Sequence, residues 1–256
     1  MARILAFTCT DISLTRHLLK DIGDQSAGKA SSSGIGWVQD DRSLLRIQPK
    51  PSLISPLDLL CDVPSRSILV SVNNDDLGRS AADVQPHRFR RWVFAADSIQ
   101  TNLSFDELYA HVPEFLRQNI KGKTREEVLF HLVLAELHQG ASLPGVRENS
   151  EKAEAICNVV KRVRGLDPDL HLSALFATDR AIFGVSLGQE LHWRAWEGLE
   201  VREEPVFAGH KPSSVKHSTF RALMIANESI DDWSEVPDNS VFWFDSQWTP
   251  KTLSLD

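Results

Sequence analysis

The chain has 256 residues, 42% of them hydrophobic and 25% charged, with 13 Gly and 12 Pro, which is the make-up of an ordinary globular protein. Its formal charge of −7 argues against nonspecific binding to nucleic acid or to anionic membranes. Cys9, Cys61 and Cys157 are far apart and form no Cys-x-x-Cys pair, no apolar run reaches the ~20 residues of a membrane span, and Met1-Ala2-Arg3 opens no signal-peptide core, so a cytoplasmic protein with reduced thiols is expected. A chain of this length buries roughly 70–75% of its extended surface and needs no metal or disulfide to fold. It is expected to form one domain, 1–256, with no cofactor and no metal.

Ala2 to Phe7 reads as a strand at the very start of the chain. Leu14, His17, Leu18 and Ile22 fall at helical spacing behind Asp11 or Ser13 as N-cap. After a loop of small residues, Gly34-Ile35-Gly36-Trp37-Val38 and Leu44-Leu45-Arg46-Ile47 predict a hairpin across Asp40-Asp41. The proline-broken segment 49–64 holds at most one short helix. Ile68 to Val72 and Trp92 to Ala96 are short, apolar and bounded by turn residues, which predicts central strands. Three helices follow: a stripe from Phe105 to Leu116 that Pro113 should break, a stronger one from Val128 to Leu137 opened by Thr124 and Glu127 as a capping box, and one from Ala153 to Val163 closed by Gly165. The chain then returns to strands at 172–177, 181–185, 191–196, 220–226 and 241–244. Strands, then paired helices, then strands again, without regular alternation, predict an α+β layered fold rather than a doubly wound one.

No single motif carries chemistry by itself. Ser31-Ser32-Ser33-Gly34-Ile35-Gly36 lacks the Gly-Lys-Ser/Thr ending of a phosphate loop and leads into a strand rather than a helix. His131 and His138 lie seven apart, which is not the spacing that puts two imidazoles on one zinc; a solvated or partly buried helix face is expected instead. His87-Arg88-Phe89-Arg90-Arg91-Trp92 mixes basic and aromatic residues but reads, in an acidic chain, as one strand entering the core with its arginines outside. The seven tryptophans are first of all core and sheet residues.

Taken in order, several segments do form a pattern. The N-terminal strand, Gly34-Ile35-Gly36-Trp37, His87-Arg88-Phe89 leading to Trp92-Val93-Phe94-Ala95, and Gly122-Lys123-Thr124-Arg125-Glu126-Glu127 resemble class II glutamine amidotransferases of the N-terminal nucleophile hydrolase fold, and their small stand-alone branch in particular. Ser173 to Asp179 looks like that family's leu-leu-thr-asp-gly hairpin, and Ile225-Ala226-Asn227-Glu228-Ser229-Ile230 followed by Trp233 looks like its ala-ser-glu-pro-leu stretch. The resemblance spans essentially the whole chain. It implies a four-layer αββα sandwich, two antiparallel sheets between helix layers.

The family's chemistry uses a cysteine just after the initiator Met as nucleophile, its own α-amine as proton carrier, an Asn-Gly oxyanion hole, an Arg for the substrate carboxylate and an Asp for its ammonium. Each of these positions differs here. Ala2 replaces the cysteine, Ser71-Val72-Asn73 replaces His-x-Arg, Asp97-Ser98 replaces Asn-Gly, and Arg125 replaces the Asp, while Thr124 and Glu127 keep their capping role. Losing a nucleophile alone costs on the order of 10⁶ in turnover. The resemblance therefore implies a pseudoenzyme acting as a binding or regulatory protein, with a protein partner or a second copy of itself. One alternative is a ligand-binding domain that reuses the old pocket, now lined by Ser71, Asn73, His87, Asp97, Ser98 and Arg125, and prefers an acidic small molecule because of Arg125. The other is a hydrolase or amidotransferase with relocated chemistry on Asp97, His87 or Ser98.

Overall fold

The computed structural model describes residues 2–22, 29–49, 52–53, 60, 63–73, 80–139, 148–202, 214–228 and 232–256. Cys61 and most of the segment 49–64 lie outside them. The strand expected at the start is β1 (Ala2–Cys9). Its alternation serves two cores: Ile4 and Ala6 face one, Phe7 and Cys9 the other. A short 3-10 turn, capped by Asp11 accepting the Ser13 amide at 2.9 Å, leads into α1 (Thr15–Ile22). The two-residue strands β2 (Lys29–Ala30) and β5 (Ser52–Leu53) pair with each other. Between them, β3 (Ser32–Gln39) and β4 (Arg42–Gln48) form the expected hairpin. Asp40 and Asp41 both take positive φ, 48° and 63°, the two-residue turn whose twist matches that of the strands.

All seven side chains of β6 (Ser67–Asn73) are buried, which explains its unbroken apolar run. The stretch His87–Trp92 is not one strand but a hairpin. β7 (His87–Phe89) turns into β8 (Trp92–Gln100) at Arg90, whose φ is 51°. Glycine or asparagine usually marks such a turn, and here neither is present to announce it. Its three arginines are exposed, as expected.

Pro113 separates α2 (Phe105–Ala110) from α3 (Glu114–Arg117). In α4 (Arg125–Gln139) every residue from Val128 to Ala135 is buried, so the helix has no wet face over that stretch. His131 is therefore a core residue, 2% exposed, and not on a solvated face; His138, two turns on, is exposed against Phe115. After α5 (Asn149–Leu166) come β9 (His171–Ala177), β10 (Ile182–Leu187), β11 (His192–Arg202), β12 (Ser214–Ala226), β13 (Ser234–Glu235), β14 (Ser240–Phe244) and β15 (Pro250–Ser254).

The strands build two antiparallel sheets. Seven run in the order β13-β11-β12-β1-β6-β3-β4 and six in the order β15-β14-β10-β9-β8-β7. An interlayer core with Ile4, Ala6, Leu69, Val93, Ala95, Leu175 and Ile225 joins them face to face. On the outer face of the six-stranded sheet, α4 and α5 cover Phe94, Ala96, Leu172 and Phe176; the rings of Phe94 and Phe130 stack at 5.3 Å. The outer face of the seven-stranded sheet is covered by Leu14, Leu18 and Leu60. This is the expected αββα sandwich. Among the described residues no helix is long and apolar enough to cross a membrane.

Candidate functional site

The start of β1 is held on both sides. Ala2 pairs with Asn73 of β6, and Asn73 pairs in turn with Ser32 of β3. Ser31 donates both its amide and its hydroxyl to the Asn73 carbonyl, each at 2.7 Å. On the other flank Leu5 pairs with Ala226. Just beyond, the Asn227 side chain accepts the Ile4 amide at 2.8 Å, and Arg3 meets Glu228 at 2.5 Å. The described part of the stretch likened to ala-ser-glu-pro-leu, residues 225–228, thus lies beside the start of β1, while Ser229 and Ile230 lie outside the described residues. In β6, Ser71 and Asn73 share the parity of Leu69, so both look into the interlayer space.

Facing them is β8. Its ladder with β9 slips by one residue between Ala96 and Ser98, so Asp97 is an extra, bulged residue. Bulges re-aim side chains and recur beside functional sites. Asp97 is half-buried, and Ser98 pairs with Ser173 in the backbone ladder. Ser173 itself looks into the interlayer space with Leu175 and Ala177, and its buried hydroxyl has no hydrogen-bond partner among the described residues.

A corner at Gln85-Pro86 ties the two sheets together beside the bulge. Gln85 Oε1 accepts the Ala96 amide at 2.6 Å. A Cβ on Gly34 would strike the Gln85 carbonyl and approach Pro86 Cδ within 2.7 Å, so only glycine admits the corner there. The Gly34-Ile35-Gly36 motif is an instrument of close approach, not of phosphate binding.

His87 is buried, with Nε2 3.5 Å from Thr124 Oγ1. Thr124 Oγ1 in turn accepts the Glu127 amide at 3.3 Å, which is half of the expected capping box. The other half is rerouted: the Glu127 carboxylate reaches back to accept the amides of Lys121 at 2.9 Å and Gly122 at 2.7 Å. Asp83 takes the next amide, Lys123, at 2.8 Å. Burial pushes the Glu127 carboxyl above its ordinary pKa against the pull of its two amides. For Asp83 burial pushes the same way, but the Lys123 amide and the Ser80 hydroxyl and amide outweigh it and hold the group below the ordinary value.

Arg125 is engaged with the main chain. Its guanidinium donates to the carbonyls of Thr101 at 2.8 Å and Leu103 at 3.4 Å, tying the β8–α2 loop to the start of α4. Cys9 is no substitute nucleophile: it lies at the far end of β1, seven residues or roughly 23 Å along the strand from Ala2, in the outer core. Burial raises its thiol pKa and keeps it protonated. Among the described residues no three His, Cys, Asp or Glu side chains converge where they would hold a metal.

Ala2, Ser71 and Asn73 thus lie together at one end of the seven-stranded sheet, and Asp97 lies in a strand of the sheet packed across from it. Sequence reasoning missed Gln85, Asp83 and Ser31. Each acts through a long-range hydrogen bond to the backbone, which leaves no periodic trace. The Gln85-Pro86 step ahead of β7 was the one local signal of a fixed corner.

A sandwich of two antiparallel sheets between helices, with β1 central in one of them, is a class II glutamine amidotransferase-like fold. The solved structures bear this out. The chain is similar to a glutamine aminotransferase class-II domain protein from Silicibacter pomeroyi, with a TM-score of 0.60 and 15% identity over 99% of each chain. It is equally similar to a predicted glutamine amidotransferase from Pseudomonas aeruginosa, with a TM-score of 0.60 and 12% identity over 98% of this chain and 99% of that one. Glutamine phosphoribosylpyrophosphate amidotransferase from B. subtilis matches 99% of this chain with 49% of its own, at a TM-score of 0.55 and 12% identity. At such identities the likeness speaks for the fold alone. The sequence matches no protein-family model and no curated protein.

Proposed function

We propose that this protein is a catalytically inactive relative of the class II glutamine amidotransferases that serves as a binding or regulatory protein, its partner another protein or a second copy of the chain. One observation carries the reading: Ala2, with no thiol, starts the central strand of one sheet, while the facing strand of the other bulges to present Asp97. A carboxylate there opposes the negative charge that develops on a tetrahedral oxygen, which this chemistry must stabilise. The engagement of Arg125 with main-chain carbonyls supports the same reading, because the residue does structural work where the family places a substrate contact.

The test is glutamate release from glutamine by the purified protein and by its Ala2→Cys variant, with an active class II amidotransferase as positive control. The initiator Met is efficiently removed before small residues, so the variant presents an N-terminal thiol. Neither protein is expected to release glutamate above background. A single repair cannot compensate for losses that act separately on binding and on the transition state. Turnover by Ala2→Cys would mean that the site was never dismantled.

A second reading, a small-molecule pocket at the same place, is favoured by the Ser173 hydroxyl, wholly buried beside the bulge and without a partner among the described residues. Such a group usually marks an absent hydrogen-bond partner. Native mass spectrometry of the freshly purified protein separates the two: a co-purifying small molecule supports the pocket, a bare chain or a dimer the partner role.

A further inference from the structure

At the opposite end of the sandwich, roughly 20 Å along β1 from Ala2, the turns β3–β4, β7–β8, β9–β10 and β14–β15 and the start of α5 surround a cavity of about 840 Å³. That volume is within the range of small-molecule sites. From its composition we infer that the cavity is a second binding site, for a small organic carboxylate with a flat apolar body.

The wall is aromatic. Trp243, Phe244 and Trp248 line it, with Trp248 edge-on to Phe244 at 6.4 Å. Trp248 sits in the β14–β15 turn, where Asp245 accepts the amides of Gln247 and Thr249 at 2.9 and 3.0 Å. Its φ is 61°, a backbone conformation that suits glycine and is an outlier for a bulky residue. A turn that would be relaxed with glycine carries an indole instead, and that indole is half-buried against the cavity. Strain of this kind, kept for the sake of a side chain, points to a use for the side chain.

The charges around the cavity are mostly matched. Arg91 pairs with Asp41 at 2.5 Å, Lys251 with Asp245 at 3.5 Å and Arg180 with Asp179 at 3.6 Å. Two lining charges have no ion-pair partner among the described residues, the solvent-exposed Glu148 and Lys152. Lys152 is half-buried, and its ammonium donates to Asn149 Oδ1 at 3.2 Å, with no carboxylate of the described residues within ion-pair distance. Burial depresses its pKa and outweighs the pull of the more distant Asp179 and Glu151 carboxylates. An anion beside Lys152 would supply a close partner. It would also meet the first turn of α5, where Glu148 stands as N-cap without a side-chain hydrogen bond to the free amides. The aromatic wall then fixes the rest of the ligand as flat and apolar.

The experiment is a calorimetric titration of the whole protein with benzoate, and with benzyl alcohol and benzylamine as probes of equal body and different charge. Benzoate is expected to bind at least roughly tenfold more tightly than either control, and Lys152→Met to lose at least roughly that factor. Trp248→Gly is the second variant. It relieves the turn, so its thermal midpoint should hold or rise while benzoate affinity falls. Equal binding of the three probes, full affinity in Lys152→Met, or no binding at millimolar benzoate would each overturn the proposal.

Discussion

Replacing Gly34 by alanine tests how the two sheets are tied at the candidate site. The added methyl would collide with the Gln85 carbonyl and stand 2.7 Å from both Ile47 Cδ1 and Pro86 Cδ, where ordinary contact begins at 3.4 Å. Ile47 can rotate away, but a carbonyl and a proline ring cannot, so the 85–86 corner has to retreat. That corner carries the Gln85 side chain whose oxygen receives the Ala96 amide at 2.6 Å. Overpacking of this kind costs about 1–3 kcal/mol, and orphaning a buried amide costs about as much again. Taking about 3 kcal/mol for the two, and about 2–4 °C per kcal/mol for a chain of this size, the thermal midpoint should fall by about 6–12 °C. Circular dichroism melts of wild type and Gly34→Ala measure it directly. An unchanged midpoint would refute the reasoning, because the corner would then be free to move and could not be what positions the bulge.

Gly165 is the converse case. It lies in the last turn of α5, and nothing stands within 4 Å of the place a methyl group would take. Gly165→Ala should therefore stabilise by about 0.5–1 kcal/mol, read as a higher midpoint in the same melts; a lower one would contradict the assignment of open space. His131 predicts a pH dependence. Its Nδ1 donates to the Glu127 carbonyl at 2.8 Å, and burial holds its pKa below the ordinary 6.5. The unfolded chain therefore binds more protons as pH falls. The stability this residue contributes is whole above about pH 6.5 and is lost as pH drops toward the folded-state pKa. The stability difference between wild type and His131→Leu should accordingly be constant above neutrality and shift toward the variant in acid. A difference that does not change with pH between about 5 and 8 would show that His131 titrates freely.

The fold was legible wherever burial leaves a pattern. β6 and β8 announced themselves as central strands because both of their faces are covered, and Pro113 divided its helix as its ring requires. The β7–β8 hairpin was not legible, because the residue that turns the chain is an arginine in a glycine's conformation. β15 was missed for the opposite reason: at the sheet edge most of Pro250–Ser254 is exposed, so selection for an apolar face is weak. At the site, the identities of Ala2 and Asp97 were readable only through the resemblance. That Asp97 occupies a bulge follows from a one-residue slip against β9, a property of two strands at once that neither sequence encodes alone. The main-chain bonds of Arg125 were not legible, because the carbonyls it holds lie more than twenty residues earlier in the chain.

The position of β1 has a consequence for how the chain is made. Leu5 is paired on one side with Val70 and on the other with Ala226. Synthesis delivers β1 before β6, which can join it after some seventy residues, but its second neighbour, β12, begins only at Ser214. Until β12 is made, the central strand of the seven-stranded sheet is an open, apolar edge, the kind of surface that recruits other strands. The nascent chain should therefore depend on chaperones until β12 is released, and any message broken before that point would yield a product prone to self-association rather than a smaller folded protein.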